Sequence, residues 1–201
     1  MKFLVPLLAL TTLALAQEVE PVPAEKTLAI ATKLTATLGT PGDAPLAVEV
    51  NTEKAVAIKA GPGGLLAMPD KKLTAETLAA AGKEQLPLGQ LWMHKMVPEI
   101  QHAPAPASKL RTVTVNDGND DARAEVYYLG VAKAASGGLE LSLFGKDKTA
   151  LVTVPLAKTD AAANATPFAL DGHKDGDHSG TLVITIFGSY KADVTVTRPA
   201  E

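Results

Sequence analysis

One short run near the middle of the chain combines a tryptophan, a histidine and two methionines. On a β-strand Trp92, His94 and Met96 would project from one face, because successive side chains alternate. Imidazole and thioether groups are ligands that copper(I) accepts. The run therefore suggests a copper site at His94 and Met96, with Met93 or His102 as candidate further ligands. The alternative is an apolar core stripe that contains one hydrogen-bonded histidine.

A second run near the C-terminus is dense in carboxylates and imidazoles, which are ligands for divalent cations. An EF-hand loop beginning at Asp171 would need a bidentate glutamate at its twelfth position, which is Leu182. The alternative is a solvated turn between strands, because aspartate and glycine are common in turns. The candidate ligands are His173, Asp175, Asp177 and His178.

Residues 117–121 also begin like a calcium loop, with Asp117, Asn119 and Asp121 at alternate positions. The sixth position is Ala122, where an EF-hand loop has glycine. This segment is therefore expected to be a loop between strands.

Catalytic motifs are absent from the sequence. Asp177, His178 and Ser179 are the residue types of a hydrolytic triad, but three consecutive residues do not present its geometry. The nucleophile elbow, the zinc-protease motif and the two glycine-rich nucleotide loops do not occur. We therefore expect a non-catalytic protein. A hydrolase with scattered carboxylates is the enzymatic alternative, because such residues leave no sequence signature.

Composition restricts the classes of partner. The 201 residues carry a formal net charge of −3 and only 4% aromatic residues. Neither a basic patch for phosphates nor a stacking platform for bases is indicated, so nucleic acid is not an expected partner. The chain has no cysteine, which excludes disulfides and thiolate metal sites.

Residues 1–16 have the features of a secretory signal peptide. Lys2 provides the positive start, residues 3–15 the apolar run, and residues 14–16 the small-x-small cleavage site before Gln17. The apolar run is shorter than the roughly 20 residues that span a bilayer. A secreted or periplasmic location is expected, with no membrane span after cleavage and an envelope protein as a candidate partner.

Residues 179–197 are predicted to form a β-hairpin, since β-branched and aromatic residues fill both arms. A two-residue turn at Gly188 and Ser189 would place Phe187 opposite Tyr190. Residues 136–145 repeat the pattern of the first arm, which suggests two equivalent hairpins, one in each layer of a sandwich. The alternative explanation is that short apolar strands resemble each other because they use few residue types.

The remaining segments complete an all-β prediction, an antiparallel β-sandwich with one short helix near residues 74–82. Residues 27–38 are predicted to be a strand because apolar residues alternate with threonines, although helical spacing also fits. The expected organisation, by residue number, is an extended leader (17–24), an N-terminal β-rich unit (25–101), an alanine-proline linker (102–108) and a C-terminal sandwich (109–199). A long loop within one sandwich is the alternative to the linker.

These features together predict a secreted or periplasmic, non-catalytic β-sandwich protein that acts by binding or as a structural accessory of the cell envelope. The first alternative is a periplasmic protein that binds copper or a divalent cation. The second is the secreted hydrolase with an unrecognised carboxylate site.

Overall fold

The structure of the chain, a computed structural model, describes residues 19–116 and 121–199. The predicted signal peptide and the first two residues of the leader lie outside the described residues. So do positions 117–120 of the third candidate cation loop.

Strands dominate the described residues, and each hydrogen-bonded pair of strands is antiparallel. Two α-helices and two short 3₁₀ turns (Thr52–Lys54 and Ala107–Lys109) complete the secondary structure. In chain order the helices and strands are β1 (Glu20–Pro21), α1 (Ala24–Leu38), β2 (Val56–Ala60), β3 (Gly63–Pro69), α2 (Ala75–Ala79), β4 (Leu86–His94), β5 (Val97–Ile100), β6 (Ala103–Pro104), β7 (Arg111–Asn116), β8 (Asp121–Lys133), β9 (Leu139–Phe144), β10 (Ala150–Lys158), β11 (Phe168–Lys174), β12 (Ser179–Ile186) and β13 (Tyr190–Thr197).

The strands form one curled sheet in the order β1-β2-β3-β4-β8-β9-β10-β13-β12-β11, with β7 beside β8 and β5 beside β13. The far end of the sheet returns so that β11 lies against β2 and β3. The result is a half-barrel, and the predicted all-β, sandwich-like antiparallel fold is confirmed.

The concave side of the sheet encloses the main hydrophobic core. Leu141 and Leu143 of β9 face Ile184 and Ile186 of β12 across this core, and all four side chains are fully buried. Burying such a side chain contributes about 1.5–3 kcal/mol each, so this inner core is the main source of stability.

The predicted C-terminal hairpin is present, but its register differs by one residue from the prediction. Ile186 pairs with Tyr190, so the turn contains three residues, with positive φ at Phe187 (49°) and Gly188 (69°). A one-residue shift moves every side chain to the other face. The observed register places Ile184 opposite Ala192 in the inner core, whereas the predicted one would place it opposite a charged aspartate.

The two segments with similar sequences form two similar hairpins, β9–β10 and β12–β13. They are neighbours in the curled sheet, because the second arms β10 and β13 pair with each other. The hairpins are therefore neighbours in one sheet, whereas the sequence had suggested one hairpin in each of two layers.

The prediction of a strand at residues 27–38 is wrong, since this segment lies within helix α1. Ala31 and Leu34 are buried at helical spacing, whereas Leu28 and Ile30 of the alternating pattern are the exposed large apolar side chains. The helical propensity of threonine is low, but tertiary packing supplies most helix stability in proteins. Three threonine hydroxyls also donate to carbonyls four residues earlier.

Helix α1 covers part of the convex side of the sheet and creates a second hydrophobic core. Ala31 and Leu34 pack there against Met68 of β3 and Trp92 of β4. The two faces of β4 therefore serve two cores, and its nearly uniform apolar sequence follows from that double burial.

The short predicted helix is confirmed as α2, although it is shorter than predicted. Thr74 caps its N-terminus by accepting from the backbone N–H of Thr77, and the Thr77 hydroxyl accepts from the backbone N–H of Thr74. This reciprocal pair satisfies two N–H groups that a helix start otherwise leaves unpaired.

The predicted linker contains β6 and the start of a 3₁₀ turn. Strands on either side of it pair, since β4 is hydrogen-bonded to β8 and β5 to β13. Both predicted units contribute side chains to the inner core. In the part of the chain that the structure describes, no helix is long and apolar enough to cross a membrane.

Candidate functional site

The candidate copper ligands His94 and Met96 lie on different sides of the sheet. His94 ends β4 on the convex side, where its Nδ1 donates to the carbonyl of Arg123 at 2.7 Å. Lys95 then adopts φ 58°, which interrupts the strand, and Met96 packs against the inner core. The strand alternation on which the copper prediction relied therefore ends before Met96.

The second group of candidate ligands lies at the end of the β11–β12 hairpin. The structure places His173 Nε2 3.3 Å from Asp175 Oδ1, and Thr181 donates to the other oxygen of Asp175 at 2.7 Å. Asp177 instead lies 3.6 Å from the Lys174 ammonium. Within residues 19–116 and 121–199, there is no group of three or more histidine or acidic side chains that could hold a metal ion.

A cleft of about 130 Å³ separates this hairpin end from the β2–β3 turn. His173, Asp177 and His178 line it from one side, and Met96 lines it from another. The backbone carbonyl of His178 accepts from the Thr197 hydroxyl at 2.9 Å, which fixes the hairpin end against β13.

A cavity of about 790 Å³ lies on the convex side of the sheet, beyond the end of α1. Residues 39–50, which we call the strap, run from α1 towards β2 and form its roof. Gln90 of β4 and Tyr128 of β8 form its floor, directly opposite each other in the strand register. The cavity is lined mainly by apolar atoms, and its polar lining comprises these two side chains, two threonines and the charged residues Glu49, Asp70, Lys71 and Lys72.

The strap is held at several points along its length. Asp43 Oδ1 lies 3.2 Å from the Arg111 guanidinium, which reaches up from β7. Towards the other end, the backbone N–H of Glu49 donates to Asp70 Oδ2 at 2.7 Å. Between these two points of attachment, Leu46 lies over Gly130. A Cβ atom added at Gly130 would come within 2.9 Å of a Leu46 methyl group. A glycine in β8 therefore makes room for the strap.

Tyr128 is the most unusual residue of the floor. It is 1% exposed, and its hydroxyl has no hydrogen-bond partner. Burial raises the pKa of Tyr128, an effect that Arg111 opposes and Asp43 reinforces. The hydroxyl therefore keeps its proton at ordinary pH, but it lies below the accessible surface of the cavity. A buried polar group without a partner costs about 1–3 kcal/mol, so such groups are rare in proteins.

Gln90 presents a donor at the floor of the cavity. It is 6% exposed, and its Oε1 accepts a hydrogen bond from the indole N–H of Trp92 at 3.2 Å. The carbonyl oxygen of the amide therefore already has a hydrogen-bond partner within the sheet. The amide nitrogen, which carries two protons, makes no hydrogen bond within the described residues.

Several charged groups around the cavity are paired, whereas the exposed Lys72, which also lines it, forms no ion pair within the described residues. The Lys71 ammonium lies 2.6 Å from Glu49 and lowers the pKa of that carboxyl, and Arg111 lowers the pKa of Asp43 in the same way. Both oxygens of the buried Asp70 accept backbone N–H groups. The floor itself has no charged side chain.

The fold and cavity define a class of protein, an antiparallel half-barrel whose convex face carries a strap-covered cavity. Comparison with models of protein families, with curated proteins and with solved structures gives no match. The chemistry of this cavity is therefore the basis for a functional assignment.

The sequence contained one signal for this site. Gln90 is the single polar side chain in an otherwise apolar run in β4. A buried glutamine in a strand needs hydrogen-bond partners on its face of the sheet. Tyr128 and the strap residues gave no comparable signal. Their contacts depend on which strands pair and on the path of residues 39–50, and neither can be read from a short stretch of sequence.

Proposed function

We propose that this chain is an exported, non-catalytic binding protein that holds a small organic molecule in the cavity beneath the strap. The observation that carries this proposal is the cavity itself, which measures about 790 Å³, is lined mainly by apolar atoms and has Gln90 and Tyr128 at its floor. Ligand sites typically measure about 300–1,000 Å³ and combine apolar walls with a few polar groups. The Gln90 amide nitrogen, which makes no hydrogen bond within the described residues, is available to donate to an acceptor on a ligand.

A binding role fits the chemistry of the floor better than catalysis. A general base must release its proton near the working pH, whereas the pKa of Tyr128 is raised by burial. The neighbouring Gln90 does not titrate. The signal peptide supports action in the cell envelope, where an envelope protein is the proposed partner.

Filling the cavity should abolish binding. Ala44 lies on the strap, is half-buried and lines the cavity. We expect the wild-type chain to bind the neutral fluorescent probe N-phenyl-1-naphthylamine saturably, and we expect Ala44→Phe to weaken that binding at least tenfold because the ring occupies the ligand volume. Fluorescence titration gives both affinities.

The matched control is Ala161→Phe, at an exposed alanine outside the cavity, and it should bind like the wild type. An apolar groove of about 310 Å³ beside α1, lined by Ile30 and Trp92, is the competing site for such a probe. Unchanged affinity in Ala44→Phe would locate the probe elsewhere and contradict the proposed function.

Metal binding at the β11–β12 hairpin is the second candidate function. The 3.3 Å separation of His173 Nε2 and Asp175 Oδ1 favours it, because these two groups could chelate one divalent cation at a hairpin end. If the site operates, metal analysis after incubation with zinc should show about one equivalent, which His173→Ala removes. His94→Ala, on the other side of the sheet, is the matched control and should keep the metal. Retention well below one equivalent in the wild type would rule this candidate out.

A further inference from the structure

The apolar groove beside helix α1 is a second concave surface on the convex side of the sheet. It measures about 310 Å³ and, among the residues that the structure describes, shares no lining residue with the cavity beneath the strap. Helix α1 forms one wall through Ile30 and Leu34, which lie one turn apart. Ile30 is 36% exposed, so this wall is open to a ligand from solvent. We call this surface the α1 groove.

Small side chains form much of the floor of the α1 groove. Ala57, Gly64 and Ala124 lie there on β2, β3 and β8, and Trp92 lies on β4 between β3 and β8. The indole N–H of Trp92 already donates to Gln90, so the ring needs no polar partner from a ligand. Ligand sites typically measure about 300–1,000 Å³, and the α1 groove lies at the lower end of that range. It therefore suits one apolar chain.

Two lysines lie at one end of the α1 groove. The backbone N–H of Val22 donates to the carbonyl of Ala57 at 2.9 Å, which places the start of α1 beside β2. Lys26 lies in the first turn of α1 and Lys59 lies on β2, and both line the groove. Within the described part of the chain, no acidic side chain lines it.

These lysines are available to a ligand. Both are exposed, and neither forms an ion pair with another described residue. Glu20 lies opposite Lys59 in the strand register, but it does not line the groove. The other ionisable side chain of the lining, His94, is hydrogen-bonded to the carbonyl of Arg123. The rim of the groove is therefore positive and complements an anion.

The cavity beneath the strap has a different charge pattern. Its charged lining combines two acidic residues with two lysines, namely Glu49, Asp70, Lys71 and Lys72. A carboxylate there would meet charges of both signs, whereas the charged lining of the α1 groove has one sign, and Coulomb interactions depend on that sign. An acidic amphiphile should therefore prefer the α1 groove.

We propose that the α1 groove binds a single-chain anionic amphiphile, a linear alkyl chain that ends in a carboxylate. The chain lies over Trp92 and the small floor residues, and its carboxylate lies near Lys26 and Lys59. Burial of the chain supplies most of the affinity because it removes apolar surface from water, and the lysines select the sign of the head group. This second site does not depend on ligand binding beneath the strap.

A matched ligand series tests the head group on the wild-type chain. Decanoate, decan-1-ol and decylammonium share one alkyl chain and differ in charge, and each is titrated below its micelle concentration. Trp92 is the single tryptophan of the chain and lines the groove, so its fluorescence reports occupancy. We expect decanoate to bind saturably, about tenfold more tightly than decylammonium, because two exposed attractive pairs replace two repulsive ones. The alcohol should bind with intermediate affinity.

Charge reversal tests the two lysines. Exposed ion pairs are individually weak, so both positions are changed together. Lys26→Glu/Lys59→Glu should lower the affinity for decanoate about tenfold and make decylammonium the better ligand. The matched control is Lys33→Glu/Lys158→Glu, at two exposed lysines outside the groove. It produces the same change in net charge and should bind decanoate like the wild type.

A second pair of variants tests the apolar wall. Ile30→Glu places a carboxylate beside the alkyl chain and should lower the affinity for decanoate about tenfold, because a charge next to apolar surface loses hydration. Leu28→Glu is the matched control. Leu28 is 41% exposed on the same helix but does not line the groove, so this variant should keep the wild-type affinity.

The outcomes distinguish the α1 groove from other sites. Decanoate binding that is weakened by both groove variants and kept in both controls supports the proposal. If decanoate binds no better than decylammonium, or if Leu28→Glu weakens binding as much as Ile30→Glu, the proposal is wrong. Loss of decanoate binding in Ala44→Phe would place the acid beneath the strap, which overturns the groove site but not the proposed function. Cosedimentation with phosphatidylglycerol vesicles that Leu28→Glu and Ile30→Glu both abolish would identify a membrane surface instead and also overturn it.

Discussion

Replacement of Gly89 by alanine should lower the free energy of unfolding by about 4 kcal/mol, within the range of severe backbone and steric defects. Gly89 adopts φ 151°, a conformation that side chains disfavour, and an added Cβ would overlap the carbonyl oxygen of Met68 on the neighbouring strand. The atoms that this Cβ would meet, in the Met68 carbonyl and at the Pro69 Cα, all belong to the backbone of a paired strand. Local adjustment of side chains therefore cannot relieve the overlap. Urea denaturation of wild type and variant measures the loss.

Gly64→Ala is the matched control, since Gly64 also lies in the pairing region of β3 and β4. Its nearest obstacle is a carbonyl oxygen at 3.5 Å, an ordinary contact distance. We expect a loss of at most about 1 kcal/mol there, which is the usual scale for a tolerated backbone change. Equal losses at the two positions would show that the close approach at Gly89 does not determine stability.

The same glycine also affects the cavity. The pairing of β4 with β8 shifts register between Pro87 and Gly89, which leaves Leu88 as an extra residue buried in the inner core. After this irregularity Leu91 faces inward and Gln90 faces the convex side. A variant that relaxes this region should therefore lose binding of the neutral probe along with stability, because the shape of the cavity floor depends on it.

Part of this architecture could be predicted from the sequence. Strands such as β9 and β12 follow from β-branched composition and alternation, and the α2 cap follows from Thr74. Both signals are local, since side chains of one short segment determine them. The helix α1 shows the limit of such reasoning. Its alternating pattern favoured a strand, while the surface on which Ala31 and Leu34 pack is contributed by distant strands.

The candidate site could not be predicted for the same physical reason. Its floor joins Gln90 and Tyr128 through pairing of β4 with β8, and its roof depends on the Arg111–Asp43 ion pair and on the space above Gly130. The candidate metal ligands that the sequence indicated lie close together within two short segments of the chain. His173 and Asp175 are close in the sequence and also in space. His94 and Met96 are equally close in the sequence, but the left-handed conformation of Lys95 between them directs them to different sides of the sheet.

Stability should fall steeply in alkaline solution because of two buried tyrosines. Tyr127 is fully buried in the inner core without a hydroxyl partner, and its pKa is raised mainly by burial and further by the charge of Glu125. Burial also raises the pKa of Tyr128. In the unfolded chain both tyrosines titrate near about 10. Above that pH the unfolded state loses protons that the folded state retains, so the folded state becomes progressively less favourable.

Each buried tyrosine should therefore contribute a slope of up to about 1.4 kcal/mol per pH unit above pH 10, and none at pH 7 to 9. Urea denaturation between pH 8 and 11.5 measures this slope for wild type, Tyr127→Phe, Tyr128→Phe and the double variant. Each single variant should reduce the slope, and the double variant should remove most of it. Tyr127→Phe should also be about 1 kcal/mol more stable at pH 7, because it removes a buried hydroxyl that lacks a partner. An unchanged slope in the double variant would mean that these hydroxyls reach water in the folded protein.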